Sequence, residues 1–251
     1  MSTPLQGKVA LVTGGSRGLG AATARSLADS GADVAITYVS SAGQAAEVVK
    51  ELEDKGVQAA AFQNDQADAT LAPQLIDDVV ARFGGLDILV SNAAIGVEQG
   101  KTIDDPTVDT AELDRMHATN YTGVIAIIRA AAKVLRDNGR IVNVGSGIGS
   151  RAGHPGFADY AATKAGLIGY TKGAARDLAR RGITVNLLQA GLMQTAMNPP
   201  SPEVLEAMVA NLSIKRVSDP AETAAVITFL ASPAASYITG AVIDSNGGYT
   251  A

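Results

Sequence analysis

The chain has 251 residues, of which 47% are hydrophobic and 18% are charged, and it carries a net charge of −5 at pH 7. This composition allows one sizeable core, and the acidic balance argues against sequence-independent nucleic-acid binding and against attraction to an anionic membrane surface. Cysteine is absent and the two histidines, His117 and His154, are far apart. Disulfides and thiolate nucleophiles are therefore excluded, and a zinc site of the usual His/Cys type is nearly so.

The N-terminal segment MSTPLQGKVALVTGG lacks the basic and apolar regions of a secretory signal. No stretch reaches the ~18 apolar residues that a membrane helix needs. We therefore expect a cytoplasmic protein with no membrane partner. Linkers, repeats and low-complexity tracts are not recognisable, so a single domain is expected over residues 1–251.

Short apolar runs rich in β-branched residues alternate with helical patterns along the chain. Seven runs are predicted as strands: 8–13, 33–39, 58–63, 86–91, 140–144, 183–188 and 241–244. Several are apolar at nearly every position, which is typical of parallel strands buried on both faces. Helices are predicted at 19–30, 42–55 and 71–83, each followed by glycine. The pattern predicts an α/β, doubly wound Rossmann fold with a seven-stranded parallel sheet and helices on both faces.

A glycine-rich loop, TGGSRGLG at 13–20, joins the first strand to the first helix. Glycines allow a tight turn and close approach of the backbone to a pyrophosphate, and the helix N-terminus supplies free N–H groups. The spacing of Gly14, Gly18 and Gly20 is not the G-x-G-x-x-G fingerprint, although the mechanics are the same. The alternative is a strand-to-helix turn that binds nothing.

The end of the second strand indicates which dinucleotide would bind. A carboxylate there selects NAD by accepting from the ribose 2′-hydroxyl. This sequence has Thr37-Tyr38-Val39-Ser40-Ser41, and its nearest acid, Asp33, lies at the opposite end of the strand. Hydroxyls of Ser40 and Ser41, with Arg17 from the loop, favour the 2′-phosphate of NADP. The alternative is that the two serines cap the next helix, and both roles are compatible.

Tyr160 and Lys164 are four residues apart in a helical pattern, which places a phenol and an ammonium on one face. A nearby ammonium favours the phenolate and is expected to lower the pKa of Tyr160 toward neutrality. The alternative is an ordinary exposed Tyr/Lys pair. Ser146 favours the catalytic interpretation, because it follows the strand 140–144 at the edge where doubly wound sheets bind their ligands.

With these motifs the chain resembles the short-chain dehydrogenase/reductase family from Lys8 to Gly248. It is most similar to the NADPH-using branch of 3-oxoacyl-carrier-protein reductases, polyketide-type ketoreductases and microbial carbonyl reductases. The matching pieces are TGGSRGLG at 13–20, Asp65, SNAA at 91–94, NYTG at 120–123, Gly145-Ser146, YAATK at 160–164, Val185-Asn186, ITG at 238–240 and Gly247-Gly248. Their order and spacing together make the resemblance specific.

The resemblance implies a role for each matching residue. Tyr160 would donate a proton to the carbonyl oxygen, Ser146 would polarise that oxygen, and Lys164 would lower the tyrosine pKa and hold the nicotinamide ribose. Asn120 would hold a water that relays protons to Lys164. Asp65 would contact the adenine. The implied NADP site comprises Gly14, Ser16, Arg17, Gly18, Leu19, Tyr38, Ser40, Ser41, Asp65, Gln66, Asn92, Ala93, Ala94, Tyr160, Lys164, Gly191, Leu192 and Thr195.

The sequence departs from the family pattern at three points. Ser146 is fourteen residues before Tyr160, whereas the usual spacing of thirteen falls on Gly147. We assign the polarising role to Ser146, because glycine has no side chain to polarise a carbonyl. Asn92-Ala93-Ala94 replaces Asn-Ala-Gly, and Gln189-Ala190-Gly191 replaces a Pro-Gly turn after the sixth strand. None of these changes removes a catalytic group.

The substrate side is less specific. Candidate pocket residues are Ile148, His154, Phe157, Met193 and Met197, and a lid is expected at about 192–212 with a helix at 203–211. Two alternatives are open for His154, a place at the pocket mouth and an exposed place in a loop, whereas His117 is expected to be structural. No metal is expected.

The leading hypothesis is an NADPH-dependent reductase that converts a ketone to a secondary alcohol. The alternatives are an NAD-linked secondary alcohol dehydrogenase and a non-catalytic NADP-sensing protein. Helices near Asn120 and Tyr160 carry small residues that permit close helix approach: Ala126, Ala130, Ala131, Ala132, Ala165, Gly166, Gly169 and Gly173. The family resemblance implies a homotetramer through these helices, and the alternative is packing against the chain's own sheet.

Overall fold

The structure, a computed structural model, describes residues 3–96, 101–194 and 201–251. Its centre is a sheet of seven parallel strands in the order β3-β2-β1-β4-β5-β6-β7. The strands are β1 Val9–Val12, β2 Asp33–Tyr38, β3 Ala59–Gln63, β4 Leu86–Ser91, β5 Leu135–Ser146, β6 Thr184–Ala190 and β7 Val242–Ser245. All seven predicted strands and their parallel arrangement are confirmed. Only β5 is much longer than predicted, because it begins with polar residues before the apolar run.

Eight α-helices of the described residues flank the sheet. They are α1 Gly18–Asp29, α2 Ala42–Glu53, α3 Ala72–Phe83, α4 Thr110–His117, α5 Gly123–Val134, α6 Ala158–Leu178, α7 Pro202–Ala210 and α8 Pro220–Ala231. The first three end within two residues of the predicted positions. Gly31, Gly56 and Gly84, which follow them, have φ of +94°, +89° and +77°, so left-handed glycines terminate these helices as expected.

Two apolar cores explain why the strands are hydrophobic at consecutive positions. Val12, Ile36 and Val90 face α1, α2 and α8 on one side of the sheet. Leu11 and Leu89 face α3, α5 and α6 on the other. Because successive strand residues point to opposite faces, both sets must be apolar when helices cover both faces.

The strand order reverses between β1 and β4, so a crevice forms at the carboxyl ends of these strands, which is where doubly wound proteins bind ligands. The glycine-rich loop, Asn92, Ser146 and Gly191 each follow or end a strand at this edge. In the described ranges, the structure contains no helix long and apolar enough to span a bilayer.

Candidate active site

The glycine-rich loop between β1 and α1 is built around close backbone contacts. Gly14 and Gly18 have φ of +65° and +54°, a conformation that favours glycine. A Cβ atom on Gly20 would lie 2.2 Å from the carbonyl oxygen of Gly14. The N-cap residue of α1, Arg17, provides no side-chain hydrogen bond, and the first turn has no acidic residue. The first-turn N–H groups of α1 therefore remain available to an anion.

Hydrogen bonds from neighbouring strands hold this loop in place. The Thr13 hydroxyl accepts from the backbone N–H groups of Asn92 (3.0 Å) and Ala93 (2.9 Å). The Asn92 side chain donates to the carbonyl oxygen of Thr13 at 2.9 Å, and the Gly14 N–H donates to the Thr37 hydroxyl at 3.0 Å. Asn92 therefore positions the phosphate loop with its side chain, and Ala93 and Ala94 extend from it along the crevice.

The end of β2 carries no carboxylate. Asp33 lies at the opposite end of the strand, where it accepts from the backbone N–H of Gln58 at 2.7 Å. Ser40 is exposed, and Ser41 stands at the N-cap of α2 without a capping hydrogen bond from its hydroxyl. The Ser41 hydroxyl therefore does not cap α2 in this structure, although the sequence allowed a capping role for it. The Arg17 side chain is also exposed.

Tyr38 and Val39 differ in their environments. The Tyr38 side chain is half-buried and packs against the core beside α1, whereas Val39 is 47% exposed. The sequence did not decide which of the two faces the ribose. The structure leaves the side chain of Val39 more accessible at this edge.

Asp65 and Gln66 follow β3 and have different roles. One carboxylate oxygen of Asp65 accepts from the Arg115 guanidinium at 3.0 Å, and the other accepts from the Ala67 N–H at 3.0 Å. The buried Gln66 amide donates to the carbonyl oxygens of Ala93 (2.9 Å) and Thr119 (2.7 Å). Gln66 thus connects the loop that follows β4 to the turn that contains Thr119. The sequence missed Arg115, which lies 50 residues from its partner and belongs to no motif.

Asn120 lies in a π-helical turn, Ala118–Thr122, between α4 and α5. Its buried side chain accepts from the Ile95 N–H at 2.9 Å and donates to the Ile95 carbonyl at 2.8 Å. A π-turn inside a helix is often associated with functional sites. The amide therefore fixes the segment after β4 in the structure, and the expected water-holding role of Asn120 stays a prediction.

Ser146 and Tyr160 meet at the carboxyl end of β5. Ser146 is the last residue of β5, and its hydroxyl accepts from the Ile148 N–H at 3.3 Å and lies close enough to the Tyr160 phenol to affect the pKa of that phenol. Gly147, the alternative by strict spacing, packs instead on the C-terminal residues, since a Cβ there would lie 2.9 Å from the Tyr249 ring. This contact supports the choice of Ser146.

Lys164 is buried one turn after Tyr160 on α6. Its ammonium donates to the Val144 carbonyl at 3.1 Å and lies 5.8 Å from the centre of the Tyr160 ring. Burial lowers the pKa of Lys164 from 10.5 to about 8. Burial also raises the pKa of Tyr160, and the hydrogen bond from Ser146 acts more weakly in the opposite direction. The expected lowering of the Tyr160 pKa by Lys164 is therefore wrong for this structure, because desolvation is the larger effect.

The predicted substrate residues have mixed surroundings. Ile148 and Phe157 are half-buried, and the Ile148 N–H contacts the Ser146 hydroxyl, whereas His154 is exposed, with its Nε2 3.5 Å from the Asn211 amide. Met193 packs against the core cluster that includes α8, and its backbone pairs with that of Ser218, so its role toward the substrate stays a prediction. Thr195 and Met197 lie outside the described residues. His117 approaches Asp159 at 3.3 Å, consistent with the structural role expected for it.

The segment after β6 borders both the site and the expected lid. Gly191 contacts the C-terminal residues so closely that a Cβ would lie 2.4 Å from the Asn246 Cα. The predicted lid helix is present as α7, and none of its residues is buried. A cavity of about 470 Å³ lies against the C-terminal residues and is lined by Leu192, Leu212 and Asn246 among others. Ser146, Tyr160 and Lys164 do not line it, so we place the site at the sheet edge, where the reactive side chains converge.

Together, the doubly wound sheet, the phosphate loop and the Ser146–Tyr160–Lys164 cluster define a dinucleotide-dependent oxidoreductase. Residues 14–250 match the family model described as Enoyl-(Acyl carrier protein) reductase. The 3-oxoacyl-[acyl-carrier-protein] reductase FabG of Staphylococcus aureus (strain N315) is 42% identical over 244 residues, which cover 96% of this chain and 97% of that protein. The chain belongs to the short-chain dehydrogenase/reductase family.

Solved structures give the same result. A short-chain dehydrogenase from Burkholderia cenocepacia J2315 in complex with NADP is 43% identical with a TM-score of 0.94, and the match covers 99% of this chain and 100% of that one. A blue fluorescent protein from a metagenomic library in complex with NADPH is 41% identical, also with a TM-score of 0.94 and the same coverage. The fold and family expected from the sequence are confirmed.

Proposed function

We propose that the protein uses NADPH to reduce the ketone of a 3-oxoacyl or related carbonyl compound to a secondary alcohol. The observation that carries this proposal is the convergence of Ser146 and Tyr160 at the carboxyl edge of the sheet, with the Lys164 ammonium buried 5.8 Å from the centre of the Tyr160 ring. Carbonyl reduction requires groups that donate hydrogen bonds and a proton to the carbonyl oxygen beside the cofactor. The two hydroxyls next to the dinucleotide crevice can do this. The relatives named as 3-oxoacyl-[acyl-carrier-protein] reductases support it.

The residues of the crevice fit NADPH. The close contact of Gly20 with the Gly14 carbonyl leaves no space for a side chain at Gly20, and the N-terminus of α1 presents uncapped N–H groups to the loop. Asp65 is accessible for the adenine, while Asn92 and Ala93 shape the path toward the nicotinamide. When bound, NADPH supplies the hydride, and the protein orients the cofactor and polarises the carbonyl group of the substrate.

Cofactor preference would come from the edge of β2. Ser40, Ser41 and the exposed Arg17 would bind the 2′-phosphate. The end of β2 has no carboxylate that would repel this phosphate. The relatives crystallised with NADP and NADPH support this assignment.

Tyr160, Ser146 and Lys164 would each have a different role in the reaction. Tyr160 would donate its phenolic proton to the carbonyl oxygen, and Ser146 would donate a hydrogen bond to the same oxygen. Because the ground-state pKa of Tyr160 is raised, the phenol stays protonated at neutral pH and is ready to act as an acid. Lys164 would hold the ribose hydroxyls and stabilise the phenolate after proton transfer.

The test is a comparison of NADPH and NADH with β-ketoesters, 3-oxoacyl thioesters, diketones and aryl ketones. We expect oxidation of NADPH to depend on the ketone, and kcat/KM to be higher for NADPH than for NADH. Preference for NADH would support the NAD-linked alcohol dehydrogenase instead. Binding of NADPH without turnover of any ketone would support the NADP-sensing protein.

A homotetramer is also proposed. Ala130 and Ala131 are buried against the chain's own sheet, so the internal-packing alternative holds for these two residues. Ala165, Gly169 and Gly173 are exposed along α6, and a Cβ at either glycine would meet no atom within 4 Å. This exposed stripe leaves room for a second helix. The cytoplasmic location stays a prediction.

A further inference from the structure

The C-terminal turn, residues 246–251, follows β7 at the same edge of the sheet as Ser146. Hydrogen bonds of the Asn246 side chain hold this turn together. The amide oxygen of Asn246 accepts from the N–H groups of Gly248 (3.1 Å) and Tyr249 (3.2 Å), and its nitrogen donates to Asp244 (3.1 Å) and Thr250 (2.9 Å). The turn is therefore a defined structural unit, and Asn246 itself is buried.

Tyr249 joins this turn to the loop between Ser146 and Tyr160. Its hydroxyl accepts from the Gly153 N–H at 3.0 Å and donates to the Arg151 carbonyl at 3.0 Å. The Arg151 guanidinium returns a hydrogen bond to the Tyr249 carbonyl at 2.8 Å and lies 5.6 Å from the centre of the ring. One phenol thus holds two backbone groups of the loop that links the two proposed reactive hydroxyls.

The same turn also holds the base of the lid. The Gly247 carbonyl accepts from the N–H groups of Ser213 (2.8 Å) and Ile214 (2.9 Å), which follow α7. The Ser213 hydroxyl donates to the Gly248 carbonyl at 3.3 Å. Because no residue of α7 is buried, these hydrogen bonds help to attach the segment that follows α7 to the body of the protein.

We propose that Tyr249 is a positioning residue for the carbonyl substrate, clamping loop 150–153 to the C-terminal turn and through it to the base of the lid. The proposal rests on the proposed function, because it assigns Ile148 and Phe157 of the neighbouring loop to the substrate side. Arg151 and Gly153 are exposed, so their backbone groups can form hydrogen bonds with water when the Tyr249 hydroxyl is removed. The loop then gains freedom while the fold persists.

The test compares Tyr249→Phe with Tyr237→Phe. Both substitutions remove only a hydroxyl, and Tyr237 is fully exposed before the amino-terminal end of β7, at the opposite edge of the sheet. For Tyr249→Phe we expect KM for the ketone to rise about threefold to tenfold, the effect of roughly one hydrogen bond, while KM for NADPH stays within about twofold of wild type. Tyr237→Phe should change neither constant.

Limited trypsin digestion gives a readout that does not depend on activity. Cleavage after the exposed Arg151 should be faster in Tyr249→Phe than in Tyr237→Phe, with cleavage at other sites as the internal reference. If both variants are cut equally and have the same KM values, the clamp does not exist. If the two KM values and the unfolding temperature of Tyr249→Phe change together, the residue is only structural and the proposal is overturned. Faster cleavage in a protein that reduces no ketone would retain the clamp and reject the proposed function.

Discussion

The ammonium of Lys164 lies 5.8 Å from the centre of the Tyr160 ring, one turn back on α6. Both groups are affected by the same desolvation, which raises the pKa of the phenol and lowers that of the lysine to about 8. Each group is therefore driven toward its neutral form. A neutral phenol is the form that can donate a proton to a carbonyl oxygen, and this relationship underlies the first two predictions.

Tyr160→Phe should reduce kcat by about 10²–10⁴-fold, the usual contribution of general acid catalysis, with NADPH affinity nearly unchanged. The substitution keeps the ring and its packing. Steady-state rates and NADPH fluorescence titration measure the two effects, with Tyr237→Phe as the control. A variant that keeps more than about half of the wild-type turnover would remove Tyr160 from the mechanism.

Lys164→Met should inactivate the enzyme and yet stabilise the fold at pH 7. The fall of the pKa from 10.5 to about 8 corresponds to roughly 3 kcal/mol of unfavourable charge burial. The lost hydrogen bond to Val144 offsets about 1 kcal/mol, which leaves a gain of about 2 kcal/mol.

The pH dependence provides the check on Lys164. Between pH 8 and 10.5 the unfolded chain keeps the Lys164 proton and the folded chain does not, so wild-type stability rises with pH across this window. The advantage of Lys164→Met, measured by denaturant unfolding, should therefore shrink from pH 7 to pH 10. Lys172→Met, at an exposed position of the same helix, is the matched control and should show no such trend. A constant difference at all pH values would contradict the assigned burial effect.

Ser146→Ala should lower kcat by about 10–100-fold, because one of two hydrogen bonds to the reacting oxygen is lost. The exposed Ser236→Ala is the control. Gly147→Ala is not a neutral comparison, because its Cβ would lie 2.9 Å from the Tyr249 ring. Full activity in Ser146→Ala would show that the polarising group lies elsewhere.

The edge of β2 allows a test of cofactor preference with two neighbouring positions. Val39→Asp and Tyr38→Asp should both shift kcat/KM toward NADH, roughly tenfold for a partly exposed charge. Only Tyr38→Asp should also lower the unfolding temperature, because the Tyr38 ring packs on the core. Arg17→Ala should weaken NADPH and spare NADH. Equal weakening of both cofactors would show that Arg17 does not recognise the 2′-phosphate.

The α6 stripe predicts the outcome of placing a long side chain at an open position. Gly169→Lys should convert a tetramer to smaller species in sedimentation experiments, because the side chain would occupy the space of the second helix. Gly43→Lys on α2 is the matched control, since a Cβ there also meets no atom within 4 Å. A wild-type mass near that of the 25.5 kDa monomer at micromolar concentration would reject the oligomer.

The sequence by itself determined the seven parallel strands, the ends of the first helices and the family, because these depend on local patterns. Apolar residues at consecutive positions require helices on both faces, and the left-handed glycines Gly31, Gly56 and Gly84 follow directly on helical patterns. Ser146, Tyr160 and Lys164 could be selected for the same reason, since a strand end and a helical spacing of four are visible in one dimension.

Only the tertiary structure decided how these groups influence each other. The raised pKa of Tyr160 depends on burial by distant segments. The partners of Asp65 and Arg151 lie 50 and 98 residues away and belong to no motif. Sequence spacing describes neighbours along one helix or strand, whereas desolvation and long-range hydrogen bonds arise only when separate segments pack together.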